Sequence, residues 1–150
     1  MNFLADIHPK IIHFPIAFLI LYPLIEFLFL VTKKDFFSKA AFLFLITGVI
    51  SSFFAVLSGN QAYENVKDLL IDKSIFYQHQ FYANITVWFF TFLLALRYFL
   101  YIKKRLNNKF IIILLILALS GSIIVFQTGV YGGKFSRQIS KLVLTNSNNN

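Results

Sequence analysis

The chain of 150 residues contains no cysteine, which excludes disulfides, thiolate metal sites, iron–sulfur clusters and covalent attachment of a c-type haem. Charge is scarce as well: 13% of residues are Asp, Glu, Lys or Arg, against 58% hydrophobic and 19% aromatic. A soluble globule of this size needs more polar surface, so lipid must solvate most of the chain. Also missing are a Ser-His-Asp or His-Glu-x-x-His arrangement, a phosphate-binding glycine loop, a dinucleotide fingerprint and the basic helix or filter sequence of a voltage sensor or channel. No independent enzymatic activity is expected. The net charge of +8 does not point to nucleic acid, because the basic residues lie between apolar stretches and form no groove-reading helix.

What is present is four long apolar stretches: Ile11 to Val31, Ala40 to Leu57, Phe81 to Ile102 and Phe110 to Val130. Each is close to the roughly 20 residues that cross a hydrocarbon core about 30 Å thick. Lipid offers the backbone no hydrogen-bond partner, and the alternation of a barrel strand is absent, so the stretches are read as helices. The expected fold is all-α: a four-transmembrane-helix up-down bundle forming one domain over residues 1–144. Ala62, Val66, Leu69 and Leu70 recur at helical spacing between the second and third stretches, predicting a short amphipathic surface helix. The polar run 145–150 is expected to be a disordered tail. Asp6 stands where a signal peptide has basic residues, so the first stretch is expected to remain in the mature protein.

The first connection carries Lys33, Lys34 and Lys39, and the third Lys103, Lys104, Arg105 and Lys109, whereas the charges of the middle one nearly cancel. The positive-inside rule then puts the two basic connections in the cytoplasm and both termini outside a bacterial inner membrane. Gly48, Ser52, Ala55 and Gly59 form a small-residue seam on the second helix, with a looser set around Gly121, Gly129, Gly132 and Gly133 on the fourth. Such seams let membrane helices approach closely; a second use is to leave room for a planar cofactor.

All three histidines, His8, His13 and His79, fall at the outer mouths of helices one and three. Odd-numbered helices of an up-down bundle run parallel, so His13 and His79 are expected at matched depth, where two imidazoles can hold a haem axially. The five-residue step from His8 to His13 turns about 140°, so only one of them points inward comfortably. Asn60, Gln61, Glu64, Tyr77, Gln78, Gln80 and Gln127 gather at the same mouth, with Glu64 the candidate carboxylate ligand. Interface histidines that bond only to headgroups, water or a carbonyl are the plain alternative. Pro15 and Pro23 free the carbonyls of Ile11 and Leu19, predicting a kink that swings His13 inward. On the cytoplasmic half, Glu26 and Arg97 lie on parallel helices, where either a pair or snorkelling of the arginine fits.

The segment Ile7-His8-Pro9-Lys10-Ile11-Ile12-His13-Phe14-Pro15-Ile16-Ala17 resembles the N-terminal signature of the domain of unknown function 2231 family, bacterial four-helix membrane proteins. Ser58-Gly59 with Ala62 and Glu64, Ile75 to Ala83 around His79, and Thr128-Gly129-Val130-Tyr131-Gly132-Gly133 agree in order. The resemblance implies that His13, His79, Gly132 and Gly133 are family-type residues, with His8 and Glu64 beside them. It also implies a redox setting, because some members resemble fusions to cytochrome c-type domains. Gln80 stands where related sequences often place a glutamate.

The leading expectation is an electron-transfer membrane subunit that binds one b-type haem through His13 and His79, with His8, Gly132 and Gly133 around it and a cytochrome c-type or other membrane redox partner. The second is a transition-metal protein holding copper, iron or zinc through His8, His13, His79 and Glu64. The third is a structural subunit of a membrane complex with no cofactor.

Overall fold

The computed structural model describes residues 3–70 and 72–148. Its elements are α1 (Phe3–Ile11), α2 (His13–Thr32), α3 (Asp35–Glu64), α4 (Ser74–Ile102) and α5 (Asn108–Asn148). All regular structure among the described residues is helical. With α1 and α2 counted as one crossing, four helices are long and apolar enough to span a membrane.

The helices close a ring in which α2 packs on α3, α3 on α4, α4 on α5 and α5 on α2, while α1 packs on α3. Among the described residues neither diagonal pair meets backbone to backbone. The centre is apolar and close-packed, with Leu19, Tyr22, Ala41, Leu45, Phe90, Leu93, Leu114 and Ala118 fully buried. Two glycines set its tightness. A Cβ on Gly48 would stand 2.4 Å from Leu19, and one on Gly121 would stand 2.6 Å from Phe90. Outside, Phe14, Trp88, Phe92, Ile123 and Phe126 are exposed, as helices solvated by hydrocarbon require.

Two expectations change. The helices outrun the apolar stretches at the histidine end: α3 reaches Glu64, α4 starts at Ser74 and α5 continues to Asn148. Hydropathy reports the lipid-immersed part, whereas backbone hydrogen bonding propagates a helix through polar residues at one bond per residue. Residues 145–148, expected in a disordered tail, therefore lie in α5, and residues 149 and 150 fall outside the described residues. The separate surface helix is also replaced. Ala62 belongs to α3, and 65–69 form turns in which the Val66 and Lys67 amides both donate to the Tyr63 carbonyl, at 3.0 and 2.9 Å. The first crossing passes from α1 to α2 at Ile12 without leaving the helical path: Ile12 keeps right-handed helical angles, its amide donates to the His8 carbonyl at 3.2 Å and its carbonyl accepts from Ile16 at 3.4 Å. Pro15 has no amide proton to offer the Ile11 carbonyl.

At the lysine end, Glu26 of α2 and Arg97 of α4 pair across the ring at 2.9 Å, with side chains 0% and 2% exposed. Arg97 also donates to the Ser38 carbonyl at 3.0 Å. The Tyr22 hydroxyl, Glu26 Oε1 and Arg97 Nε have no hydrogen-bond partner among the described residues.

Candidate ligand-binding site

At the opposite end the ring opens into a cavity of about 570 Å³ lined from all four crossings. Its walls are mostly apolar, including Ile12, Leu19, Val56, Val87 and Val125, with polar side chains such as Asn60, Gln80 and Thr86 among them, and His8, His13 and His79 all reach it. Each imidazole lies against a glycine of the neighbouring helix. A Cβ on Gly59 would come 2.9 Å from His8 Cε1, and one on Gly132 would come 3.1 Å from His79 Cε1. These two glycines are cradles for the rings.

Hydrogen bonding sets the tautomers. His79 Nδ1 lies 3.1 Å from the Thr128 carbonyl, which can only accept, so Nδ1 carries the proton in the neutral ring. His8 Nδ1 lies 2.9 Å from the Ser58 hydroxyl. That hydroxyl donates its single proton to the Ala55 carbonyl at 3.1 Å, so it accepts from Nδ1–H. In both neutral rings the lone pair is therefore on Nε2, which makes no hydrogen bond among the described residues. A histidine held through Nδ1–H with Nε2 free is the arrangement that presents an imidazole to a metal centre.

Against known families, residues 5–140 match the family described as "Predicted membrane protein (DUF2231)". The chain belongs to this family. No curated protein and no solved structure matches it.

In this DUF2231 chain all three histidines, His8, His13 and His79, line the cavity, and they differ in burial and anchoring. His13 lines the cavity but is exposed. His8, one face away, is the half-buried ring bonded into α3. Glu64 is turned away and ion-paired with Lys67 at 2.5 Å on an exposed surface. Among the described residues no three His, Asp or Glu gather in a group that could hold a metal ion, so the set His8, His13, His79 and Glu64 is not assembled. Gly132 backs His79, while Gly133 lines the cavity with only the Arg137 guanidinium near it, at 3.9 Å. Gly59, assigned to a packing seam, and Ser58 and the Thr128 carbonyl, noted only within segments resembling the family, join the site. Their signal was the position of each glycine one helix across from a histidine.

The donor set suits one ligand type better than others. Two neutral imidazoles, mostly apolar walls and a volume within the roughly 300–1,000 Å³ usual for cofactor pockets fit an apolar body with a single coordinating centre.

Proposed function

We propose that this protein is an integral membrane electron-transfer subunit that binds one b-type haem at its histidine end, through His8 and His79. The observation that supports the reading most is that both rings are anchored through Nδ1, which leaves both Nε2 atoms free at one apolar cavity. When bound, the haem supplies one-electron chemistry at its iron. The chain's own residues hold and orient it: Ser58 and the Thr128 carbonyl fix the imidazoles, Gly59 and Gly132 admit them, and the apolar walls exclude water.

The lysine-rich connections favour placing this end on the extracytoplasmic side of a bacterial inner membrane. The opposite end carries no histidine, so electrons enter and leave at the same face, through a partner such as a cytochrome c-type domain. A bare copper, iron or zinc ion has less support, because two imidazoles are unaccompanied by a carboxylate. Protein purified from cells supplied with a haem precursor should show a Soret band and the sharp visible bands of a reduced low-spin haem. A colourless protein from such cells contradicts the assignment.

A further inference from the structure

The two halves of the chain correspond position by position. The helix α5 begins at Asn108, 73 positions after the Asp35 that opens α3. A step of 71 carries His8 to His79. It carries the buried Leu19, Tyr22 and Phe29 to the buried Phe90, Leu93 and Leu100. A step of 73 carries Ala41 and Leu45 to Leu114 and Ala118, all four fully buried, and carries Gly48 and Gly59 to Gly121 and Gly132.

The finer details agree. Lys33 and Lys104, 71 apart, are the two non-glycine residues with positive φ among the described residues, at 56° and 52°, a left-handed conformation that side chains rarely adopt. From Lys33 the next helix opens at Asp35, and from Lys104 at Asn108, so a turn two residues longer accounts for the change of step. Each histidine is also anchored to the corresponding turn of its partner helix. His79 bonds the Thr128 carbonyl directly, and His8 bonds through Ser58 to Ala55, which lies 73 positions before Thr128. The packing is two-fold as well: α2 lies on α5 as α4 lies on α3. Both hairpins start at the same end, so they are related by an axis along the bundle.

Glu26 and Arg97 are 71 apart, and so occupy one position in the two hairpins. Residues that meet their own counterparts across a two-fold axis would normally be identical, and identical charges there would repel. Here they are opposite, buried and 2.9 Å apart. We propose that the chain is a duplicated helical hairpin in which Glu26 and Arg97 make the two copies join as unlike partners, so that one chain closes one ligand site. A first hairpin paired with another first hairpin would bury Glu26 against Glu26, and two second hairpins would bury Arg97 against Arg97. Both like pairings are penalised far more than the unlike one. If the haem reading holds, each copy contributes one Nε2 to the same ligand; the pairing itself does not depend on that reading.

The test uses the full chain in detergent, read by size-exclusion chromatography with light scattering and by thermal unfolding. Glu26→Arg and Arg97→Glu should each lose the monodisperse peak and the cooperative transition. The double exchange should recover both, because an arginine at 26 would find the Ile111 carbonyl where Arg97 now finds Ser38, 73 positions earlier. The pair Glu26→Leu with Arg97→Leu should stay folded, with part of the sample shifted to swapped oligomers of higher mass than the wild type. Tolerated single reversals, an exchange no better than the singles, or a double-leucine protein that elutes as the wild type does would each overturn the proposal.

Discussion

The two hairpins reach the same end by different local means. The first holds all three prolines of the chain, and Pro15 leaves the Ile11 carbonyl without its helical donor where α1 passes into α2, whereas α4 runs without proline from Ser74 to Ile102. Yet His8 and His79 arrive at one cavity, each against a glycine and each tied through Nδ1. What matters is the place of the imidazole on the neighbouring helix, not the continuity of the helix that carries it. In the core, Ala41 and Leu45 of one hairpin correspond to Leu114 and Ala118 of the other, so small and large residues trade places while the summed volume is kept. Close-packed interiors tolerate such volume-conserving exchange better than a net change.

The largest expected effect tests where the hairpins differ in charge. Arg97→Leu leaves Glu26 buried without its counter-charge, and should cost about 3–5 kcal/mol, measured by denaturant unfolding in mixed micelles. Next, Gly48→Leu and Gly121→Leu press on Leu19 and on Phe90, and overpacking should cost each about 1–3 kcal/mol. A silent substitution at one of the two glycines would break the correspondence.

A smaller and more selective effect is expected at the cradles. In Gly59→Ala the new methyl meets His8 at 2.9 Å, and in Gly132→Ala it meets His79 at 3.1 Å. Both variants should stay folded and bind less haem in a titration, the first more weakly than the second. The smallest effect lies outside the membrane, just before α4. Asp72 accepts the Ser74 amide and hydroxyl at 2.8 and 2.9 Å, and these bonds hold its carboxyl below the usual range. A carboxyl depressed in the folded state contributes stability above its unfolded pKa, and loses it as pH falls through the folded value. Thermal stability should therefore decline slightly on acidification, and Asp72→Ala should flatten that part of the profile.

Much of this was legible in the residues. Four apolar runs gave the number of crossings, because span length and backbone hydrogen bonding leave a lipid-embedded segment little choice. The helix ends were not legible, since Ser58 to Glu64 and Ser74 to Gln80 are polar yet continue α3 and α4. Helical phase separates His8 from His13, and the structure shows them half-buried and exposed respectively at one cavity. Phase alone could not say which would be anchored, because that depends on where Gly59 and Ser58 lie on another helix. The Glu26–Arg97 pair was one of two readings open from parallel helices, and burial decides it. The duplication left a trace in the eleven-residue spacing shared by Gly48 and Gly59 and by Gly121 and Gly132. Elsewhere exchanges such as Leu19 for Phe90 preserve burial and erase identity.

The most direct measurement of the central claim is the reduced and oxidised absorption spectrum of the haem-loaded protein and its three single His→Ala variants. His8→Ala and His79→Ala should each convert a six-coordinate low-spin spectrum to a five-coordinate one, while His13→Ala leaves it unchanged. A spectrum altered by His13→Ala and untouched by His8→Ala would contradict the account.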